Sequence, residues 1–452
     1  MHFLPTKEKN AEDQLLMEIV NVLHCLSQCV DKTALRQLNV IVLAMLAMTG
    51  RVTMLGISRW SERGGSYRTI QRFFGTTIVW SKLNWYLIRD HLLSGMGVVL
   101  LGGDEVVVTK SGKQTYGLDR FFSSLYGKPV PGLSFFSWSL ISTKSRRSYP
   151  LLTEQIIKTA PEPAVKQVKK VKKPVKKRGR PQGSKNKNRR EVELTPYLQQ
   201  IQSMLRRVLV LIGSELNLVY CVMDGFFGNN NALQMVRQCS LHIISKLRHD
   251  AALYFPYDGP QKKRGAKKKY GHKLNYTDIS DDHLKETFTQ DGIRTDIYQM
   301  ALWHKRFPDQ LNVVVIVKTK LKTGARAHVV LFSSDQELAF DLLIDYYRLR
   351  FQIEFNFRDA KQFWGLEDFM NVFQTPVFNA ANLALFMVNV SHILIQRFQP
   401  TCPAFSVNDL KAHFRGRKYV TDTLKLLPHT PDPIFIDQIF NQIPLLGRVN
   451  SP

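Results

Sequence analysis

The spacing of apolar residues changes at Gly95, and no other feature of the chain constrains its fold as much. Residues 11–95 carry apolar positions at helical spacing. In TMLGISRWSERGGSYRTIQRFFG (53–75) a short helix, a Gly64-Gly65 turn and a second helix with Ser66 as N-cap are expected. This pair reads equally as a helix-turn-helix presenting Tyr67, Arg68, Arg72 and Lys82 to phosphates and as part of a plain helical bundle. Beyond Gly95 the pattern is that of strands: MGVVLLGGDEVVVTK (96–110), GLSFFSWSLIS (132–142) and SYPLLTEQII (148–157). Thr195-Pro196 then opens a helix running to about Ile212, and LNLVYCVMDGFFGN (216–229) is a buried strand. Four further strand-like runs follow: LHIISKLR, DIYQMALWHKRF, LNVVVIVKTK and AHVVLFSS. A helix from near Asp335 and a long apolar helix at about 376–398 complete the pattern.

The stretch YYRLRFQIEFNFRDAKQFWG (346–365) reads as one helix. At about 100° per residue, Tyr347, Arg350, Glu354 and Lys361 share about 60° of arc. Tyr346, Leu349, Ile353, Phe357, Ala360 and Trp364 form an apolar stripe beside them. A carboxylate bracketed in this way is expected to be partly buried, which calls for a partner or a metal. The competing reading is a surface helix with Glu354 paired to Arg358.

Asp104 and Asp224 share a context, each at the C-terminal end of an apolar, β-branched strand. Strand ends are where sites form in α/β sheets. The order strand–strand–strand–helix–strand, with acids on the first and fourth strands and Glu354 on a later helix, is that of an RNase H-like fold. It implies a mixed sheet flanked by helices, with a β-rich insertion before the last carboxylate and an all-helical N-terminal domain. Three carboxylates suit two-metal phosphoryl chemistry, because Mg²⁺ takes hard oxygen ligands and two ions clamp the attacking and leaving oxygens.

These residues carry a family resemblance. YYRLRFQIEFNFRDAK is similar to the Tyr-Arg-Glu-Lys signature of the DDE transposases of bacterial insertion sequences. MDGFFGN resembles the second-Asp motif of that family, and GGDEVVVTK resembles a variant of its first box, without the usual double Asp and Thr. The resemblance covers about residues 96–400. It implies Asp104, Asp224 and Glu354 as catalytic ligands of two Mg²⁺ ions, for which Mn²⁺ can substitute. It also implies Tyr347, Arg350 and Lys361 as contacts to DNA phosphates. Asp104 and Glu105 point to opposite faces of a strand, so only one serves; Asp104 is the expected ligand.

Charge points to the same partner. The net charge is +26, the footprint of a protein that binds a polyanion. The run TAPEPAVKQVKKVKKPVKKRGRPQGSKNKNRR (159–190) holds 13 Lys and Arg against one acid, a net +12, and is expected to be disordered. Arg178 and Arg180 sit in an RGRP core that reads either as an AT-hook for the minor groove or as a generic basic tether. Lys262, Lys263, Arg264 and Lys267 form a second basic loop expected to track phosphates. Trp303 reads as a platform for an extruded base or as an ordinary packed indole. Five cysteines without close CxxC pairs argue against a disulfide framework. His24, Cys25 and Cys29 read as an apolar helix face or as metal ligands. The polar opening MHFLPTKEKNAEDQ is not a signal-peptide pattern. The apolar run Val377–Ile395 carries three Asn, a Ser and a His, so it is expected in a core rather than a bilayer.

The expected organisation is a helical DNA-binding domain (1–95), a catalytic domain in two parts (96–240 and 335–400) with the basic segment 159–190 inside the first, a β-rich insertion (241–334) and a helical tail (401–452). The expected function is cut-and-paste transposition. The chain would bind terminal inverted repeats of double-stranded DNA as a homodimer in the synaptic complex, excise the element and join its 3′-OH ends to target DNA. No membrane partner is expected, and the expected location is the bacterial cytoplasm at the nucleoid. The alternatives are an RNase H-like nuclease without strand transfer and a domesticated DNA-binding protein with a vestigial site.

Overall fold

The computed structural model describes residues 17–61, 64–123, 126–158, 188–429 and 431–450. It divides into two compact units. The first is Met1–Gln155, Met204–Leu218 and Arg348–Pro452; the second is Ile156–Ser203 and Val219–Tyr347.

The first unit begins with helices α1 (17–23), α2 (Lys32–Ala47), α3 (Met54–Trp60), α4 (Tyr67–Gly75) and α5 (Trp80–His91). The expected N-cap is present, since Ser66 Oγ accepts the Thr69 amide at 3.3 Å. Tyr67, Arg68, Arg72 and Lys82 are all exposed. Four strands follow: β1 (Val99–Thr109), β2 (Asp119–Ser123), β3 (Lys128–Ser142) and β4 (Arg147–Ile156). β3 pairs antiparallel with both β1 and β2, and β4 adds to β3. The short strand β2 has no counterpart in the sequence reading, because only Phe121 and Phe122 of its five residues are apolar. Asp104 lies in the middle of β1, paired with Ser137, and not at the strand end expected from the sequence. The strand continues through Val106–Val108 because those residues have partners on β3, a tertiary fact that local pattern does not contain.

After helix α6 (Pro196–Ile212), the second unit carries β5 (Tyr220–Met223), α7 (Asn230–Arg237) and β6 (His242–Leu247). β5 and β6 are parallel. The stretch 241–334, expected as a β-rich insertion, holds β6 and then β7 (Leu253–Pro256), β8 (Tyr270–Lys273), β9 (Leu284–Gln290), β10 (Ile293–His304), β11 (Gln310–Lys320) and β12 (Arg326–Ser333). Within this unit the strand order is β5-β6-β12-β11-β10-β7-β8, with β9 added to β10. Along the chain, the strands before α6, then α6 and β5, keep the strand–strand–strand–helix–strand order expected from the sequence with β2 added, and the fold is a mixed α/β one.

The single helix expected over 346–365 is two: α8 (Phe340–Leu349) and α9 (Gln352–Gln362). At the joint the amides of Phe351, Ile353 and Glu354 bond carbonyls three residues back, at 3.0–3.1 Å. This tightening ends the 3.6-residue repeat, so the arc calculated across Tyr347 and Glu354 does not carry through it. The apolar stripe of Tyr346, Leu349, Ile353, Phe357, Ala360 and Trp364 is nevertheless buried throughout.

Helices α10 (Gln374–Phe398), α11 (Val407–Leu424) and α12 (Pro433–Gln442) complete the first unit. Three buried asparagines on α10 serve neighbouring elements. Asn379 accepts the Trp80 indole N–H at 2.8 Å and donates to the carbonyls of Phe74 (2.8 Å) and Thr76 (2.7 Å), at the C-terminal end of α4. Asn382 reaches Thr153 O, and Asn389 donates to Asn84 Oδ1 and Pro150 O. The amides thus pair otherwise orphaned carbonyls inside an apolar core. Asn379→Leu strands an indole N–H and two carbonyls, so it should lower unfolding stability by about 2–4 kcal/mol. A urea titration checks this, and a loss below about 0.5 kcal/mol would show that the network is dispensable.

Candidate active site

The site is built on a close approach. Gly102 precedes Asp104 by two residues on the same face of β1. A Cβ at Gly102 would stand 2.5 Å from the Cδ1 atoms of both Ile141 and Ile353. The missing side chain therefore lets Ile353 rest on the strand, which brings Glu354 beside Asp104. Asn356 Nδ2 donates to Ser148 Oγ at 2.8 Å, and Lys361 Nζ donates to Val107 O at 2.8 Å, so α9 is fastened to the sheet along its length.

Asp104 and Glu354 meet at one guanidinium. Arg350 Nη1 donates to Asp104 Oδ2 at 2.8 Å, and Nη2 donates to Glu354 Oε1 at 2.9 Å. The side chains of Arg350 and Asp104 are 14% and 18% exposed, while Glu354 is 43% exposed. Glu354 pairs with Arg350; Arg358, the partner expected in the surface-helix reading, pairs with Asp359. Glu105 faces the other side of β1 and accepts the Ser134 hydroxyl. Strand alternation separates the two acids as expected, and Asp104 is the one facing α9.

Lys361 also pairs with Glu367 at 2.8 Å. Lys110 was not singled out in the sequence, yet it adjoins this cluster. Its ammonium donates to the carbonyls of Glu367 (3.1 Å) and Phe369 (2.8 Å) and lies 3.5 Å from the centre of the Phe369 ring. Burial pushes its pKa down to about 8, against the opposing pull of Asp368 and Glu367. Only the fold after α9 brings this loop back to β1, so no local signal marked Lys110.

Asp224 and Tyr347 lie in the second unit. Asp224 directly follows β5, as expected, and its carboxylate accepts the Phe226 amide at 3.1 Å while its carbonyl accepts Ser245 Oγ at 2.6 Å. Gly228 is required nearby, because a Cβ there would come within 2.1 Å of Lys246 O. Tyr347 is half-buried near the end of α8. Lys262, Lys263, Arg264 and Lys267 are exposed on the β7–β8 loop, which Gln261 closes by bonding Lys268 through both its amide atoms at 2.9 Å. Behind the loop, Lys269 lies over the Trp303 ring, Lys305 over Tyr254, and Tyr270 meets Trp303 edge-on. Trp303 is thus half-buried and already packed.

Arg178 and Arg180, with residues 159–187, lie outside the described residues. The last three residues of that basic run are placed. Arg189 donates to Tyr270 Oη and Phe307 O, and Arg190 pairs with Asp309 at 2.7 Å, so residues 188–190 are ordered where the sequence reading expected disorder.

Among the described residues, no group of three or more His, Cys, Asp or Glu side chains is close enough to hold a metal ion. The pair Asp104 and Glu354 nevertheless suits a hard cation: two carboxylates from distant parts of the chain converge on one positive group. Cys25 is buried, with its Sγ 3.9 Å from His91 Nε2.

Residues 25–309 match the family model described as DDE superfamily endonuclease. The match includes Asp104 and Asp224 and ends before α8 and α9. No curated protein sequence matches the chain. Among solved structures, a similar chain is that of "Cryo-EM structure of piggyBac transposase synaptic complex with hairpin DNA (SNHP)". It is 10% identical with a TM-score of 0.36, covering 95% of this chain and 83% of that one.

The geometry around Gly102 and Gly103 ranks two substitutions. A Cβ at Gly103 meets the rings of Trp138 (2.5 Å) and Phe136 (2.8 Å), whereas one at Gly102 meets only the mobile tips of two isoleucines. Gly103→Ala should therefore destabilise by about 1–3 kcal/mol and Gly102→Ala by less. Thermal unfolding of both variants tests the order, and a reversed ranking would contradict the packing described.

Proposed function

The chain belongs to the DDE superfamily endonucleases, and from that premise we propose that it is a DNA transposase acting by cut-and-paste on an insertion sequence. The observation that carries this reading is the convergence of Asp104 and Glu354, 250 positions apart in sequence, at one cation-binding point between β1 and α9.

In this reading Asp104, Asp224 and Glu354 are the carboxylates that hold Mg²⁺, with Mn²⁺ as a substitute. When bound, the ions supply Lewis acidity toward the oxygens of a phosphodiester in line for displacement. The protein's own groups do the rest. Lys361, tied to Val107 O, keeps α9 in register with β1. Tyr347, Arg350 and Lys361 engage phosphates at the element's end. The exposed Lys262–Lys267 loop and the basic run 159–190, with Arg178 and Arg180, hold the duplex by neutralising phosphates. A homodimer pairs two inverted repeats and joins the released 3′-OH ends to target DNA. The site of action is the cytoplasm of a bacterial cell, at the nucleoid. The domain roles follow the same proposal: residues 1–95 recognise the ends, 96–240 and 335–400 carry catalysis, 241–334 insert between them, and 401–452 form a helical tail.

Glu354→Gln removes one carboxylate charge with almost no change in volume. It should leave duplex binding within about twofold and reduce cleavage of end DNA by at least about 10³-fold. Unreduced cleavage would remove Glu354 from the site. Joining a pre-cleaved 3′-OH end to a plasmid distinguishes the transposase from a nuclease, which would cut without joining.

Deleting 160–187 removes 11 cations while sparing the anchored Arg189 and Arg190. If about five phosphates are neutralised at once, the slope of log K against log salt should fall by about 4–5. An unchanged slope would show that the segment does not engage DNA.

A further inference from the structure

Arg350 occupies the point where the candidate site would hold its cation. One face of its guanidinium is divided between Asp104 Oδ2 and Glu354 Oε1, at 2.8 and 2.9 Å. All three side chains belong to the first unit, and the arginine is the most shielded of them. Two carboxylates converging this closely repel one another unless a cation lies between them, and partial burial sharpens the repulsion. A guanidinium and a divalent ion cannot use the same oxygens at once.

The backbone position matters as much as the charges. Arg350 lies between the last residue of α8 and the first of α9, at the joint where the amides of Phe351, Ile353 and Glu354 bond carbonyls three residues back. Glu354 is in the first turn of α9, which Ile353, Asn356 and Lys361 fasten to the sheet. The carboxylates are thus mounted on β1 and on the first turn of α9, and their partner lies outside both helices. The planar fork of an arginine pairs with a phosphate as readily as with carboxylates. A DNA phosphate is therefore a competing partner of the same chemistry.

We propose that Arg350 is a resident cation that holds Asp104 and Glu354 in the DNA-free chain, so that a divalent metal loads fully only after a DNA phosphate draws the guanidinium away. Binding of DNA and of metal then reinforce each other. The inference rests on the assignment of Asp104 and Glu354 as metal ligands made above.

The sign of one measurement separates this role from a structural one. If Arg350 merely props the carboxylates in place, its loss weakens metal binding; if it competes, its loss strengthens it. Mn²⁺ is titrated calorimetrically into the DNA-free full chain, with folding monitored by circular dichroism. Arg350→Ala should bind Mn²⁺ about tenfold or more tightly than the unaltered chain, and the gain should vanish in Arg350→Ala with Asp104→Asn. Arg350→Lys, which bonds one carboxylate at a time, should fall between them, and it serves alone if the alanine variant does not fold. A short random duplex with a phosphorothioate backbone should tighten Mn²⁺ binding to the unaltered chain more than to either variant. Equal or weaker Mn²⁺ affinity in the variants, still abolished by Asp104→Asn, overturns the competition and leaves the metal site standing. Absence of Mn²⁺ binding in every protein, with and without the duplex, overturns both.

Discussion

The contact between Ile353 and β1 at Gly102 is the constraint on which the candidate site depends. A Cβ at residue 102 would share its space with the Cδ1 tips of Ile141 and Ile353, so its absence lets both isoleucines rest on the strand in their present rotamers. The same two-residue period that puts Gly102 under α9 puts Asp104 on that face and Glu105 on the other. One contact therefore decides which acid faces Glu354. Gly103 serves the opposite face in the same manner, leaving room for the rings of Trp138 and Phe136, which meet edge-on at a centroid distance of 5.2 Å. The paired glycines before the acid are best understood as packing residues for two faces of one strand, since neither has the positive φ that would require glycine for conformational reasons.

The second support is the buried amide network of α10. This helix is long and apolar enough to cross a membrane by composition, yet 89% of its most apolar window is buried inside the protein. Its asparagines explain why the core is the better environment. In hydrocarbon their amides would lack partners, whereas here they cap the end of α4 and bond carbonyls of β4. The network also sets orientation. Leucine could fill the same volume in more than one rotation of α10, but the Nδ2 groups of Asn379, Asn382 and Asn389 find acceptors only when each meets its own partners.

Legibility in the sequence followed the range of the interactions. The strand runs, the N-cap at Ser66, the core helix and the apolar stripe from Tyr346 to Trp364 were readable because period and capping are local properties. The placement of Asp104 within β1 was not, since β1 continues past the acid only through its register with β3. The break between α8 and α9 was also hidden: YYRLRFQIEF contains no Gly or Pro, and each half keeps its apolar face buried on its own. Of the candidate site, residue types and strand faces could be read from pattern. The pairing of Arg350 with two carboxylates could not, because Asp104 lies 246 residues away and nothing near it in the chain announces the partner.

That pairing also explains why arginine suits the position better than lysine. Asp104 and Glu354 approach from different elements, one on a strand and one on a helix, and present oxygens to a point between them. A lysine ammonium is a single strongly hydrated centre on a flexible stem, and it would have to choose between the two or give up its water to sit midway. The guanidinium spreads one charge over a rigid plane and reaches each oxygen with a separate nitrogen, Nη1 to Asp104 and Nη2 to Glu354. Two such bonds order both carboxylates with a single positive charge, so the pair and its arginine together remain net negative. Lys110 and Lys361 bond backbone carbonyls nearby. The acids hold their geometry through a guanidinium, which a cation of higher charge can replace at the same oxygens.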